Sequence, residues 1–112
     1  MKIQIKKSDQ GAELVELEGE LDFHSSPEIR GELGKLVERQ VLKVLIDLKN
    51  VNYIDSSGLA TFVELFQKMK RYNGHLVLFN LNQGVRSVFE IAKLDTIFKL
   101  AATQKDALSL IG

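Results

Sequence analysis

The segment Val41 to Leu48 constrains this chain more than any other. It is nearly continuous apolar sequence, broken only by Lys43 and Asp47. A strand with water on one face alternates apolar and polar side chains, whereas one apolar throughout must be covered on both faces. His75 to Asn80, with Leu76, Val77, Leu78 and Phe79, reads the same way. Two such strands call for a sheet with helices packed against it. The segments between and around them show the helical spacing that could supply those helices.

The remaining elements follow from periodicity and turn chemistry. Lys2 to Lys7 alternates, with Ile3 and Ile5 on one side and Lys2, Gln4 and Lys6 on the other, as in a half-buried strand. Ser8 to Gly11 is turn sequence, and Ala12 to Glu18 reads as a second strand, so the two predict an antiparallel hairpin. Gly19-Glu20-Leu21-Asp22 leaves that strand. Ser25-Ser26-Pro27-Glu28 then predicts a helix start, with either serine as cap, Pro27 in the first turn and Glu28 completing a capping box with Ser25. Ile29, Leu33, Leu36 and Val37 continue it at helical spacing, while Gly31 and Gly34 each weaken it by up to ~1 kcal/mol relative to Ala.

After the central strand, Asn50 to Ile54 reads as a short connection. Asp55-Ser56-Ser57-Gly58 opens a helix running to about Tyr72, closed by Asn73-Gly74. Asn82 caps a third helix bearing Val85, Val88, Phe89 and Ala92. Ile97 to Leu100 reads as a short edge strand, and Thr103 caps a last helix that buries Ala107, Leu108 and Ile111. The order β-β-α-β-α-β-α-β-α predicts an α/β fold, a mixed and mostly parallel central sheet flanked by helices. No linker or repeat interrupts it, so residues 1–112 read as one domain.

Composition narrows the function classes. Lys plus Arg is 15 and Asp plus Glu is 15. That balance argues against a surface built to neutralise nucleic-acid phosphates. There is no cysteine, hence no disulfide and no thiol chemistry. No apolar run approaches the ~20 residues that span a bilayer, and the first residues lack a signal-peptide core. The expectation is a soluble cytoplasmic protein without a membrane or nucleic-acid partner.

The chemistry concentrates at the helix that starts after Asp55. Its 100° period places Leu59, Phe62, Val63, Phe66 and Met69 on a buried stripe. Thr61, Glu64 and Lys68 fall on the opposite side, with Leu65 at the border, exposed or half-exposed. Ser56 and Ser57 sit where the first backbone N–H groups lack internal partners. One reading is plain capping by Asp55, Ser56 or Ser57, worth about 1 kcal/mol. The other is phosphorylation: a helix N-terminus tolerates a phosphate, whose charge of about −1.5 to −2 then repels or desolvates a partner laid over it. Gly58 leaves the approach unobstructed, and Asp55 adds a like charge next door.

Asp55-Ser56-Ser57-Gly58-Leu59 resembles the signature of the STAS-domain anti-sigma factor antagonists of bacteria, and Gly19-Glu20-Leu21-Asp22 resembles the other familiar segment of that family. The likeness in element order and length covers the whole chain. The resemblance implies a binding module, not an enzyme, that needs no cofactor of its own. It implies that the unmodified form captures an anti-sigma factor and frees a sigma factor for transcription. It further implies that a serine kinase, which is the anti-sigma factor itself, phosphorylates Ser56 and abolishes binding, and that a metal-dependent serine phosphatase restores it. The expected contact surface comprises Asp22, Asp55, Ser56, Ser57, Gly58, Thr61, Glu64, Leu65 and Lys68, on a chain that is a monomer when free. Ala60 departs from the glycine usual after the leucine. The same family also serves as non-switching scaffolds and transporter-associated subunits, which is the alternative function.

Other classes fare worse. A serine hydrolase needs a base and a group to orient it. Only His24 and His75 are present, and G-x-S-x-G is absent. His24 reads as a solvated loop side chain that lies at most beside the serine, and His75 as structural. Gly84-Val85-Arg86-Ser87 is a helix start, but no phosphate-cradling glycine pattern supports nucleotide binding.

Overall fold

The computed structural model describes residues 1–111. Strands β1 (Lys2–Lys7) and β2 (Glu13–Leu21) form the expected antiparallel hairpin, turned by Asp9–Gly11. Helix α1 (Ser26–Glu38), strand β3 (Lys43–Ile54), helix α2 (Ser56–Lys70) and strand β4 (His75–Phe79) follow in alternation. Helix α3 (Gln83–Ile91), strand β5 (Lys99–Ala101) and helix α4 (Gln104–Ile111) complete the order. The sheet runs β1-β2-β3-β4-β5, and β2 through β5 are parallel. The α/β class, the mixed sheet and the element order match the sequence expectation.

Each crossover from one parallel strand to the next moves in the same direction across this sheet. Right-handed crossovers therefore put α1, α2 and α3 on one face. Their side chains join Val15, Leu17, Val44, Ile46, Leu48, Leu76 and Leu78 in one core. The other face of the central strands carries Leu45, Val77 and Phe79, and α4 covers it with Ala107 and Ile111. Alternate residues from Val44 to Leu48 of β3, and along β4, thus feed two separate cores, which is why those stretches are largely apolar. The free edge strand β1 turns exposed Lys2, Gln4 and Lys6 outward, a pattern that discourages pairing with another chain.

Several boundaries differ from expectation: β2 runs on through Gly19 to Leu21, β3 begins at Lys43 rather than Val41, α2 ends at Lys70, and the edge strand is Lys99–Ala101 rather than Ile97 to Leu100. Residues Asn50 to Ile54 are not a connection but the end of β3, pairing with Glu18 to Leu21 of β2. The two strands stay in step through irregularities between Glu16 and Glu18 and between Gly19 and Glu20. Gly19 has φ +118, a conformation open to glycine at little cost. Ser25 occupies the N-cap position of α1, but its hydroxyl makes no capping bond. At the far end of α2, Asn73 rather than Gly74 takes the left-handed conformation (φ 62), and the Gly74 N–H donates to the Met69 carbonyl at 2.8 Å.

The outer face assigned to α2 is also corrected. Thr61 and Leu65 are 2% and 3% exposed, whereas Val63 and Phe66, placed on the buried stripe, are only half-buried. A single-stripe reading assumes that a helix meets only the sheet. Here α1 and α2 lie side by side on the same face, so α2 buries a second flank against α1. The seam between them includes Leu33 and Val37 of α1 and Thr61 and Leu65 of α2. Thr61 satisfies its hydroxyl by donating to the Ser57 carbonyl at 3.0 Å. Truncating Leu65 to Ala is expected to lower stability by about 2–5 kcal/mol, the range for a buried leucine. An exposed leucine would cost about 0.5 kcal/mol or less; urea unfolding of Leu65→Ala separates the two.

Candidate functional site

Parallel pairing brings two distant segments to one place. Leu21 and Ile54 are register partners at the carboxyl ends of β2 and β3, so the loops holding Asp22 and Asp55 leave the sheet side by side. The Asp55 N–H donates to the Leu21 carbonyl at 3.1 Å. Loops at the carboxyl end of a parallel sheet are where open α/β folds commonly place their ligand or partner sites.

Asp22 organises the first loop. Its carboxylate oxygen Oδ1 accepts from the N–H groups of His24 and Ser25, both at 3.0 Å. Ser25 Oγ accepts from the Asp22 N–H at 3.0 Å and donates to the Glu20 carbonyl at 2.6 Å. The buried Ser26 hydroxyl donates to the Asp22 carbonyl at 2.6 Å. Ser25 and Ser26 thereby hold the loop rather than forming the expected capping box. The Ser25 N–H bond is the main reason the Asp22 carboxyl lies below its ordinary value, with the His24 N–H adding to it.

Asp55 organises the second loop. In extended conformation (φ −118, ψ −170) it takes the N-cap position of α2. Its Oδ1 accepts from the N–H groups of Ser57 and Gly58 at 2.9 and 3.1 Å. Of the three candidates for the cap, Asp55 is the one used. Ser56 is therefore not needed as the cap acceptor and is solvent-exposed, and Ser57 is half-buried.

Gly58 is buried, which corrects its expected place on the contact surface. A Cβ there would lie 2.6 Å from the Leu21 carbonyl oxygen and 2.9 Å from Ile54 Cγ1. The residue is small because the first turn of α2 presses against the ends of β2 and β3. It shapes the site from beneath.

The surface around Ser56 is a shallow depression of about 300 Å³ lined by Phe23, Ser26, Pro27, Arg30, Ser57 and Ala60 as well as Ser56 itself. Phe23 is 74% exposed, and none of Phe23, Pro27 and Arg30 is read as a site residue from the sequence, where Pro27 marks only a helix start. Nothing local in the sequence marks them; only the packing of α1 beside α2 places them there. His24 stands with Asp22 along a neighbouring depression instead, its ring edge-on to Phe23 at 5.9 Å. About two turns further along α2, Glu64 accepts from Arg30 Nε at 2.6 Å and from Lys68 Nζ at 2.9 Å. The Lys68 bond is the leading cause holding the Glu64 carboxyl below its ordinary range, with Arg30 contributing.

Asp22, Asp55, Ser56 and Ser57 thus share one end of the sheet, with Glu64 and Lys68 along the adjoining groove. Thr61, Leu65 and Gly58 lie under that surface. Among the described residues, no helix is long and apolar enough to cross a membrane.

Comparison with known proteins fits this geometry. The family model described as the STAS domain matches residues 3–107. The chain is 35% identical over 100 residues to the anti-sigma-B factor antagonist of Bacillus subtilis, covering 89% of this chain and 90% of that protein. The fold superposes on the crystal structure of an anti-sigma factor antagonist from Mycobacterium paratuberculosis with a TM-score of 0.90, at 24% identity and covering 98% and 92% of the two chains. It also matches the Bacillus cell fate determinant SpoIIAA in its phosphorylated form, with a TM-score of 0.75 at 20% identity, covering 99% and 100%.

Two outcomes follow for the loops. Gly58→Ala should destabilise the protein by about 1–3 kcal/mol, because the new methyl meets backbone. Hydrogen exchange should show the Asp55 N–H losing protection. For Asp22 the folded value is depressed, so its stabilising effect is complete above the ordinary value of 3.8 and is lost as pH falls through the lower folded value. Asp22→Asn should therefore flatten that part of the acid limb in urea midpoints measured from pH 6 to pH 2.

Proposed function

Since the chain belongs to the STAS domain family, we propose that it is an anti-sigma factor antagonist controlled by phosphorylation of Ser56. The unmodified protein binds an anti-sigma factor and so releases a sigma factor for transcription. It acts in the cytoplasm as one domain spanning residues 1–112, a monomer when free, and catalyses nothing itself.

The observation that carries this reading is that the helix start is already capped. Asp55 satisfies the first N–H groups of α2, which leaves the exposed Ser56 hydroxyl free for chemistry. Its Oγ attacks the terminal phosphorus of ATP held by the anti-sigma kinase. The new Oγ–P bond replaces the bond to the bridging oxygen, ADP departs, and the hydroxyl proton passes to a base on the kinase. A metal-dependent phosphatase reverses the mark by delivering water to phosphorus, which returns the hydroxyl and releases inorganic phosphate. The metal and the nucleotide belong to those partners.

The contact surface in this reading comprises Asp22, Asp55, Ser56 and Ser57 at the sheet end, extended by Glu64 and Lys68. Exposed Phe23 and Ala60 beside Ser56 supply apolar area that a partner would bury. A phosphate set among these residues must be desolvated when the partner closes, and each 1.4 kcal/mol of that cost is a tenfold loss of affinity.

Intact-mass and site-mapping spectrometry on protein from its native cell should find a phosphatase-sensitive phosphate on Ser56. In binding assays with the anti-sigma partner, Ser56→Ala should bind and resist inactivation by ATP, and Ser56→Asp should bind at least about tenfold more weakly. Wild-type affinity in Ser56→Asp, together with unmodified Ser56 under all growth conditions, would count against the switch.

A further inference from the structure

We propose that Arg30 is the phosphate clamp of this switch: it leaves Glu64 and pairs with the phosphate when Ser56 is phosphorylated. The inference rests on the reading of Ser56 as a phosphosite and adds the residue that receives the modification.

Arg30 sits between two sites. It lines the depression that contains Ser56, Ser57 and Ala60, and it also lines the α1–α2 groove that contains Glu64. It is the one charged side chain among the residues lining the Ser56 depression. In the unmodified protein its Nε donates to Glu64 Oε2 at 2.6 Å, and its side chain remains about half exposed, at 49%. The guanidinium is planar and carries further N–H donors, which suits two-point contact with a phosphate.

The other charged groups nearby are already committed or turned elsewhere. The Asp55 carboxylate faces the Ser57 and Gly58 N–H groups. His24 and Glu28 border the neighbouring depression with Asp22. Lys68 is held by the other oxygen of Glu64 at 2.9 Å. This second partner makes the exchange inexpensive: when Arg30 departs, Glu64 keeps Lys68. A phosphate of charge about −1.5 to −2 also attracts the guanidinium more strongly than does a single carboxylate shared with an ammonium.

The exchange has a consequence for recognition. Phosphorylation adds negative charge at Ser56 and at the same time withdraws the exposed cation beside it. A partner that reads Arg30 in the unmodified protein loses that contact when the phosphate arrives.

The test installs phosphoserine at position 56 during synthesis of the full chain and follows the phosphate by phosphorus NMR against pH at low salt. The second ionisation of phosphoserine ordinarily falls near about 6. A neighbouring guanidinium lowers it, so Arg30→Gln should raise it by about one unit relative to wild type, with Arg30→Lys between the two. Glu64→Gln, which frees Arg30, should move it the opposite way. An ionisation unchanged in Arg30→Gln overturns the clamp, and one that does not fall in Glu64→Gln overturns the exchange. Because the phosphate is installed synthetically, these outcomes are independent of whether a cellular kinase modifies Ser56, which mass spectrometry of the native protein answers.

Discussion

The backbone contact between the ends of β2 and β3 is what the rest of the site depends on. The Leu21 carbonyl accepts the Asp55 N–H at 3.1 Å, and the same oxygen lies where a side chain on Gly58 would have to go. One acceptor thus fixes the exit of the first loop, the cap residue of α2 and the depth to which α2 sinks onto the sheet. Raising α2 by the size of a methyl group would shift Ser56, Ser57 and Ala60 relative to Phe23, Pro27 and Arg30. The depression around Ser56 exists because a glycine allows two pieces of backbone to approach closely.

Around this contact the site is built by division of labour between residue types. Two aspartates, one per loop, use their carboxylates on their own backbones. Ser25 and Ser26 use their hydroxyls on loop carbonyls. With those local donors and acceptors satisfied, the exposed serine at the helix start is spared from holding the structure together. The ion pairs along the α1–α2 groove are solvent-exposed and contribute little to stability; their value lies in which charges they present and how readily those charges change partners.

The layers of the fold were legible in the sequence because they follow from alternation and periodicity. Val41 to Leu48 and Leu76 to Phe79 read as strands covered on both faces, and β3 and β4 are so covered from Val44 to Leu48 and from Leu76 to Phe79, while Leu42 is exposed before β3 begins. The two segments at Gly19 and Asp55 carry the resemblance to the family, and their meeting in space follows from parallel pairing of neighbouring strands. What was not legible depends on neighbours remote in sequence. Asn50 to Ile54 looks like a connection because asparagines are common in turns, yet it pairs with β2 beyond the irregularities at Glu16 to Glu20. Thr61 and Leu65 look outward on a helical wheel that assumes one buried face, and only the shared handedness of the crossovers sets α1 against them. Phe23, Pro27 and Arg30 entered the site for the same reason. Gly58 was read as open space for a partner, whereas its bareness serves an internal contact.

The cap on α2 has one further consequence. Because Asp55 rather than Ser56 receives the first helical N–H groups, a group can be attached to Ser56 or removed from it while the helix remains tied at its start. The mark is then written on the fold without being part of the fold. A group held there would leave the Asp55 cap in place, so no change in the backbone of the helix start would outlast it. In the proposed switch, the fraction of molecules carrying it would track the balance of the enzymes that add and remove it, moment by moment, as a level gauge follows inflow and outflow.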